Sequence, residues 1–215
     1  MDNMIKINGL NLTIGQTHIL KNIDIAFEAG RIHGLIGRNG SGKTMLMKCI
    51  CGFIKPTNGK VLVQGKQVGK DSDFPDNVGI IIETPVFIPY YSGYRNLKLL
   101  ADLNRKINGD DVKLTMKQVG LNPDSKLAVH KYSLGMRQRL GLAQAIMEDP
   151  DILILDEPMN GLDKDGVSDI RKYLLELKKQ GKTILIASHS AEDIDVLCDT
   201  VCEMDKGSLS KLKGW

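Results

Sequence analysis

Short apolar runs alternate along the chain with stretches whose apolar positions recur at helical spacing. Short runs rich in β-branched residues favour buried strands, and their alternation with helices is typical of βαβ units. The pattern therefore predicts an α/β fold in which helices cover a parallel sheet. It occurs three times: Ile32 to Ile36 before a helix from about Lys43, Ile152 to Leu155 before a helix over Val167 to Lys179, and Thr183 to Ala187 before a helix from Ala191.

The N-terminal part of the chain follows a different pattern. Short strands are predicted around Ile5, over Ile23 to Phe27 and over Val61 to Val63, and Gly and Asn residues between them favour turns. This arrangement predicts a small antiparallel sheet beside the main one.

Between Tyr94 and Glu148 the pattern predicts helices alone, over Asn96 to Leu103, Asp111 to Val119 and Leu134 to Met147. We therefore expect a helical lobe inserted between strands of the main sheet. The whole chain, 1–215, is predicted to be a single domain with a core of about 1–87 and 151–215 and a helical subdomain of about 88–150.

Composition fits one soluble, compact domain. Of 215 residues, 42% are hydrophobic and 26% are charged, which is enough apolar surface for a sizeable core. Because 29 basic and 26 acidic side chains leave a net charge of only +3, and because no basic block occurs, we expect no nucleic acid among the partners.

The sequence also indicates where the chain is located and whether its cysteines are oxidised. No apolar stretch approaches the ~20 residues that span a bilayer, and the start MDNMIKINGL lacks the core of a signal peptide. We expect a cytoplasmic chain unless something holds it elsewhere. The spacings of Cys49, Cys51, Cys198 and Cys202 do not match a zinc finger, so free thiols are expected.

A glycine-rich segment follows the strand that ends at Ile36. It reads Gly37-Arg38-Asn39-Gly40-Ser41-Gly42-Lys43-Thr44 and matches the phosphate-binding loop G-x-x-x-x-G-K-[ST] in its strand-loop-helix context. Glycines let backbone N–H groups turn toward phosphate oxygens, and the following helix adds the positive end of its dipole. Lys43 is then expected on the β and γ phosphates and the Thr44 hydroxyl on Mg²⁺.

Two acids, Asp156 and Glu157, end the second strand of the pattern. The carboxyl ends of parallel strands share one edge of a sheet, so these acids are expected beside the phosphate loop. There Asp156 would hold Mg²⁺ through its water shell, and Glu157 would take a proton from the water that attacks the γ phosphate. The alternative is an Asp-Glu-Pro turn that merely ends a strand. Leu162-Asp163 is predicted to cap the next helix.

His189 follows the third strand at the same edge. A lone histidine after a strand is more often a solvated loop residue or a cap. Its position beside the expected γ phosphate favours a hydrogen-bonding sensor.

The helix that begins near Ser133 offers a second anion site. Ser133 is a natural N-cap, and Gly135 allows close backbone approach. Since one chain already has a phosphate loop, the second site suggests that two chains close around ATP, each loop facing the other's Ser133 helix. The alternative is a capped amphipathic helix with solvated Arg137 and Arg139.

These motifs together resemble the ATP-binding subunit of ABC transporters, over nearly the whole chain. The Ser133 helix separates them from P-loop kinases and GTPases. The resemblance implies a P-loop NTPase (RecA-like) core with a parallel sheet, an N-terminal antiparallel β subdomain and an inserted α-helical lobe. It also implies ATP and Mg²⁺ as cofactors. The motifs are, in order, the phosphate loop, Tyr132 to Arg139, Ile152 to Glu157, Asn160 to Asp163 and His189.

The same resemblance implies partners and location. It predicts a second ATPase subunit, in a homodimer or a heterodimer, and transmembrane permease subunits that dock in a groove between the two lobes. The chain is then expected to lie peripherally on the inner face of the cell membrane.

Two sequence segments narrow the resemblance to one branch of the family. IIIETPVFIPYYSGYRNL and YSLGMRQRLGLA are similar to the bacitracin-resistance and lantibiotic-immunity branch, whose ATPases serve export of antimicrobial peptides. Members of that branch commonly carry a further C-terminal region, whereas this sequence stops at Lys213-Gly214-Trp215, which leaves a minimal or a truncated ATPase open. Two rival functions also remain open: an ABC ATPase for another cargo, such as a lipid, haem or drug, and a soluble ABC ATPase that acts outside transport.

Four positions depart from the family pattern. Glu83 stands where the family usually has a glutamine at the Mg²⁺ and the attacking water, and we expect this acid to bind the metal more strongly than an amide would. In the Ser133 helix, Leu134 and Met136 stand where the family more often has a glycine and a glutamine. Ile14 stands where an aromatic ring usually stacks on adenine, so selectivity for ATP over GTP is expected to be modest.

Overall fold

A computed structural model describes residues 3–215, which form two β-sheets and six α-helices. The elements in chain order are β1 Asn3–Ile14, β2 Thr17–Glu28, β3 Ile32–Ile36, α1 Lys43–Ile50, β4 Asn58–Val63, β5 Lys66–Gln67, β6 Val78–Ile81, α2 Gly93–Asn104, α3 Gly109–Gln118, α4 Leu134–Ile146, β7 Ile152–Asp156, α5 Lys164–Lys179, β8 Thr183–Ala187, α6 Ala191–Leu197, β9 Thr200–Asp205 and β10 Ser208–Lys213.

The main sheet has six strands in the order β10-β9-β3-β8-β7-β6. All neighbouring pairs are parallel except β9 and β10, which form a C-terminal hairpin. Every residue of β7 and β8 is buried, as expected for strands covered by helices on both faces. The predicted fold class is confirmed, and the carboxyl ends of β3, β6, β7 and β8 lie along one edge.

The N-terminal sheet is antiparallel, as predicted, in the order β2-β1-β4-β5. Its first two strands are longer than predicted, with 12 residues each. The prediction placed Gly and Asn turns between the strands. Gly9 has φ 56 at a register shift inside β1 and does not end the strand, because a glycine can form a bulge and let the strand continue.

Helices α2, α3 and α4 lie between β6 and β7 in the chain, where the helical pattern predicted them. Side chains cap each helix at its start: Ser92 accepts from the Arg95 N–H, Asn108 from the N–H groups of Asp110 and Asp111, and Ser133 from that of Met136. These caps satisfy backbone donors that have no partner within the helix.

The four cysteines are buried and free, as predicted. Burial raises the pKa of the Cys49 thiol to about 11 and that of the Cys198 thiol to about 12, so these thiols stay protonated at neutral pH. Across residues 3–215, none of the helices combines the length and the apolar character that a membrane crossing requires.

Buried His33 joins β3 to the C-terminal hairpin. Its Nδ1 lies 2.7 Å from Thr200 Oγ1, and its Nε2 lies 2.9 Å from the Glu28 carbonyl oxygen. The Trp215 ring stacks on it with centroids 6.1 Å apart. Desolvation lowers the pKa of His33 below its ordinary 6.5, because burial disfavours the charged imidazolium.

This burial predicts destabilisation in acid. Since the unfolded chain binds a proton at His33 more readily than the folded chain, the stabilisation is complete above about pH 6.5 and is lost as the pH falls below it, by at most about 1.4 kcal/mol per pH unit. We expect urea unfolding, followed by the fluorescence of Trp215, to show this loss between pH 7.5 and 5. The variant His33→Gln should show a flatter pH dependence, and equal slopes for both proteins would contradict the assignment.

Candidate functional site

The phosphate loop connects β3 to α1 at the carboxyl edge of the main sheet. Three of its glycines have positive φ: Gly37 at 142, Gly40 at 78 and Gly42 at 114. A Cβ at Gly37 would lie 2.3 Å from the Met204 carbonyl oxygen, so only glycine fits there. Gly42 begins α1 without any side-chain cap, which leaves the first N–H groups of the helix free for an anion.

Lys43 and Ser41 are the buried polar side chains of this loop. The Lys43 Nζ donates to the carbonyl oxygens of Gly37, at 2.6 Å, and Arg38, at 3.3 Å, so its ammonium group lies directly over the loop. The Ser41 hydroxyl is buried and has no hydrogen-bond partner. A buried unpaired hydroxyl is costly, and an incoming phosphate oxygen would satisfy it. Arg38, Asn39 and Gly40 are exposed at the loop tip.

Thr44 and Asp156 meet beneath the loop. The Thr44 hydroxyl donates to Asp156 Oδ2 at 2.6 Å, although the two residues are 112 positions apart. Asp156 is the last residue of β7 and pairs with Ala187 of β8. Hydroxyl and carboxylate oxygens are the ligands that Mg²⁺ prefers, so these donors suit the cation that the sequence predicted.

Glu157 and His189 form a second pair at the same edge. His189 Nδ1 lies 2.8 Å from Glu157 Oε2, with 73% of the histidine side chain and 26% of the glutamate side chain exposed. The Glu157 N–H donates to the Ala187 carbonyl oxygen at 2.9 Å, which anchors the acid to β8. The pair therefore combines a carboxylate acceptor with an imidazole that orients it.

Glu83 lies two residues beyond β6, which ends at Ile81. Its side chain is 63% exposed, and its Oε1 accepts from the Lys48 Nζ at 2.6 Å. Lys48 lies on α1, one turn after Thr44. The structure thus places Glu83 at the correct edge of the sheet but against a lysine, and its role at a metal stays a prediction.

Ser133 and Gly135 lie at the start of α4. The Ser133 hydroxyl accepts from the Met136 N–H at 3.1 Å, which confirms the N-cap. A Cβ at Gly135 would lie 2.8 Å from the Gly161 carbonyl oxygen, so this glycine lets α4 approach the loop after β7. Within residues 3–215, no hydrogen bond joins Ser133 to the phosphate loop of the same chain.

Arg139 is not solvated, contrary to one of the alternatives. It is half-buried, and its guanidinium donates to the Val119 carbonyl oxygen at 2.7 Å, which caps the end of α3. Arg137 is exposed. The helical pattern identifies the apolar face of α4 only roughly. It therefore could not predict which of these two arginines is exposed and which is half-buried.

Sequence reasoning missed a polar network around the His189 loop. The Arg171 guanidinium donates to Asp193, with Nε at 2.8 Å from Oδ1, and the other carboxylate oxygen accepts from the Ser188 hydroxyl at 3.0 Å. Asp193 is only 4% exposed. The network attaches α5 and α6 to the residue before His189, and a buried Asp opposite an Arg on separate helices leaves no local signal in the sequence.

A family model described as ABC transporter matches residues 20–160. Three similar proteins are named as ATP-binding proteins of transport systems, and one of them, YybJ, is named as part of an ABC transporter. The ATP-binding protein YybJ of Bacillus subtilis is 46% identical over 96% of this chain and 94% of its own length. The bacitracin transport ATP-binding protein BcrA of Enterococcus faecalis is 40% identical over 97% and 68%. The lantibiotic transport ATP-binding protein SrtF of Streptococcus pyogenes is 33% identical over 96% and 89%.

A solved structure supports the fold independently. A dimeric ATP-binding cassette in a post-hydrolysis state, bound to ADP and phosphate, superposes with a TM-score of 0.87 over 99% of this chain and 100% of its own length. Its sequence identity is 21%, so the likeness is one of architecture.

Proposed function

The chain belongs to the ABC transporter family as an ATP-binding and hydrolysing subunit, and from this premise we propose that it powers a permease which removes antimicrobial peptides. One observation carries the chemical part of the proposal. The phosphate loop, the Thr44 and Asp156 pair, and the Glu157 and His189 pair converge at one edge of the main sheet.

Binding of ATP is assigned to the loop Gly37 to Thr44. Its N–H groups and the start of α1 surround the phosphates, and the Ser41 hydroxyl gains the partner it lacks. Lys43 exchanges the carbonyl oxygens of Gly37 and Arg38 for phosphate oxygens, which are stronger acceptors because they are charged.

Thr44, Asp156 and Glu83 are the residues proposed to hold Mg²⁺. The cation, when bound, neutralises charge on the β and γ phosphates. Thr44 and Asp156 already share a hydrogen bond, so both oxygens are oriented before the ligand arrives. Glu83 would first have to leave Lys48.

Hydrolysis is assigned to Glu157 with help from His189. The Glu157 carboxylate accepts a proton from the attacking water, and His189 keeps that carboxylate in position through its Nδ1. With a proton on both ring nitrogens, His189 would donate from Nδ1 to Glu157 and from Nε2, on its largely exposed ring, to the γ phosphate.

A second ATPase subunit would complete the site. Ser133 and Gly135 form the start of α4, whose positive dipole end suits a γ phosphate, and within residues 3–215 no hydrogen bond joins Ser133 to the phosphate loop of the same chain. We propose that they bind the ATP held by the partner subunit's loop.

Replacing Glu83 with glutamine tests the metal assignment. The amide keeps the shape but loses the charge, so we expect loss of the ion pair with Lys48 and about a tenfold higher Mg²⁺ concentration for half-maximal ATPase activity, which corresponds to about 1.4 kcal/mol. The measurement is ATPase rate against Mg²⁺ at saturating ATP. Unchanged Mg²⁺ dependence, ATPase rate and transport would remove Glu83 from the site.

The permease is proposed to dock in a cleft of about 870 Å³ between β6 and the helices α2 to α4, which together form the helical segment. Its walls carry exposed apolar side chains, with Phe53 at 52%, Phe74 at 56% and Val86 at 91% exposure, and the acids Glu83 and Glu148. An amphipathic permease helix would cover these apolar side chains, whereas Glu83 and Glu148 already pair with Lys48 and Lys106. Such docking would place the chain on the inner face of the cell membrane.

The cargo is assigned by similarity to BcrA and SrtF, whose names state bacitracin and lantibiotic transport. A direct test expresses this chain with the membrane protein that co-purifies with it in a sensitive bacterium. We expect a several-fold higher inhibitory concentration of bacitracin or a lantibiotic. No protection from either peptide, with both proteins present in the membrane, would overturn the cargo assignment and leave the ATPase assignment intact.

A further inference from the structure

Gln138 connects the helical segment to the core at the catalytic carboxylate. It lies on α4, five residues after Ser133, and is only 7% exposed. Its Nε2 donates to the main-chain carbonyl oxygen of Glu157 at 3.2 Å. A buried amide that donates across two parts of the chain is an unusual use of a glutamine, since most glutamines are exposed.

The peptide that Gln138 contacts has an unfavourable backbone conformation. Glu157 has φ 49, a region that costs a non-glycine residue free energy and persists only where several contacts hold it. Three backbone contacts do so: its N–H donates to Ala187, and its carbonyl oxygen accepts from Gln138 and from the Asn160 N–H at 3.1 Å. Gln138 is the one among them that belongs to the helical segment.

Helix α4 packs closely against the loop after β7. A Cβ at Gly135 would lie 2.8 Å from the Gly161 carbonyl oxygen, and a Cβ at Gly161 would lie 2.5 Å from Leu134. Helix α4 therefore contacts this loop at Leu134 and Gly135 in its first turn and contacts Glu157 about 5 Å further along its axis, at Gln138.

We propose that Gln138 is a positioning residue that fixes the backbone of Glu157, so that the orientation of α4 sets the direction of the catalytic carboxylate. This inference rests on the proposed hydrolytic role of Glu157. It also gives a physical route between the two nucleotides of a dimer. The Ser133 end of α4 contacts the partner's ATP, and the same rigid helix holds the acid that acts on the chain's own ATP.

Two variants remove the donor in different ways. Gln138→Glu keeps the shape but places an acceptor against the Glu157 carbonyl oxygen, and Gln138→Met keeps the length without any donor. The matched control is Gln118→Glu on α3. Gln118 accepts from the Tyr173 hydroxyl at 3.4 Å, so it also joins the helical segment to the core, and a carboxylate can still accept that hydrogen bond.

Steady-state ATPase kinetics with Mg²⁺ and ATP test the proposal, together with binding of a fluorescent ATP analogue and thermal unfolding. We expect kcat to fall between about tenfold and a hundredfold in both Gln138 variants, with KM and analogue affinity within about twofold of wild type. Gln118→Glu should retain wild-type kinetics.

Two results would overturn the proposal: wild-type kcat in both Gln138 variants, or a parallel loss of analogue affinity and thermal stability, which would indicate a merely structural role. The proposed function is tested separately, because its failure would be seen as absence of ATP hydrolysis by the wild-type protein.

Discussion

Substitution of Lys43 by alanine is expected to abolish ATP binding at working concentrations. Lys43 is the buried cation of the phosphate loop, and its Nζ already lies against the carbonyl oxygens that surround the expected phosphates. Hydrogen bonds to a charged group contribute about 1.5 to 3 kcal/mol each, and ATP offers this ammonium two phosphates. The affinity should therefore fall by roughly a hundredfold or more.

Calorimetric titration with ATP and Mg²⁺ measures this effect directly. Lys60→Ala serves as the control. Lys60 is exposed on β4, and its substitution also removes one positive charge. ATP affinity of Lys43→Ala within threefold of that of the control would contradict the placement of the phosphates.

Substitution of Glu157 by glutamine is expected to stop hydrolysis while ATP still binds. The amide keeps the size of the side chain and a carbonyl acceptor for His189, but it no longer accepts a proton from water. General-base catalysis contributes about a hundredfold to ten-thousandfold, so the rate should fall by at least about a hundredfold. Thr44 and Asp156 are unchanged, and the phosphate loop keeps its ligands.

Single-turnover hydrolysis of bound ATP separates this loss from a binding defect. The matched control is Glu203→Gln, an exposed acid on β9. Retention of more than a tenth of the wild-type rate in Glu157→Gln would assign the general base to another group.

The sequence alone predicted those parts of the candidate site that each lie within a single strand-loop-helix segment. The glycines of the phosphate loop, the acids after β7 and the histidine after β8 each follow a buried strand, and parallel pairing brings the strand ends together. The 2.6 Å hydrogen bond between Thr44 and Asp156 is the direct result of that rule.

Contacts between distant elements could not be predicted in the same way. Lys48 opposes Glu83, and Gln138 opposes Glu157, because α1 and α4 pack against particular strand ends. A helical pattern indicates which face is apolar, but it does not indicate which polar side chain at the border of that face will be buried. For the same reason, the burial of Arg139 could not be predicted.

The C-terminal hairpin was missed for a related reason. Strand β10 is almost entirely exposed and carries lysines and serines, so it lacks the apolar run that marked the other strands. It is held by backbone pairing with β9 and by the Trp215 indole, whose Nε1 donates to the Val201 carbonyl oxygen at 2.9 Å. Neither signal is visible in a hydrophobic pattern.

The most direct test of the central claim is a pull-down from bacterial membranes with the Glu157→Gln variant in the presence of ATP and Mg²⁺. If this chain is the motor of a permease, the trapped ATP-bound form should retain an integral membrane protein and bound ATP, and Lys43→Ala should retain no ATP. A Glu157→Gln protein that binds ATP fully but brings down no membrane protein would contradict the account.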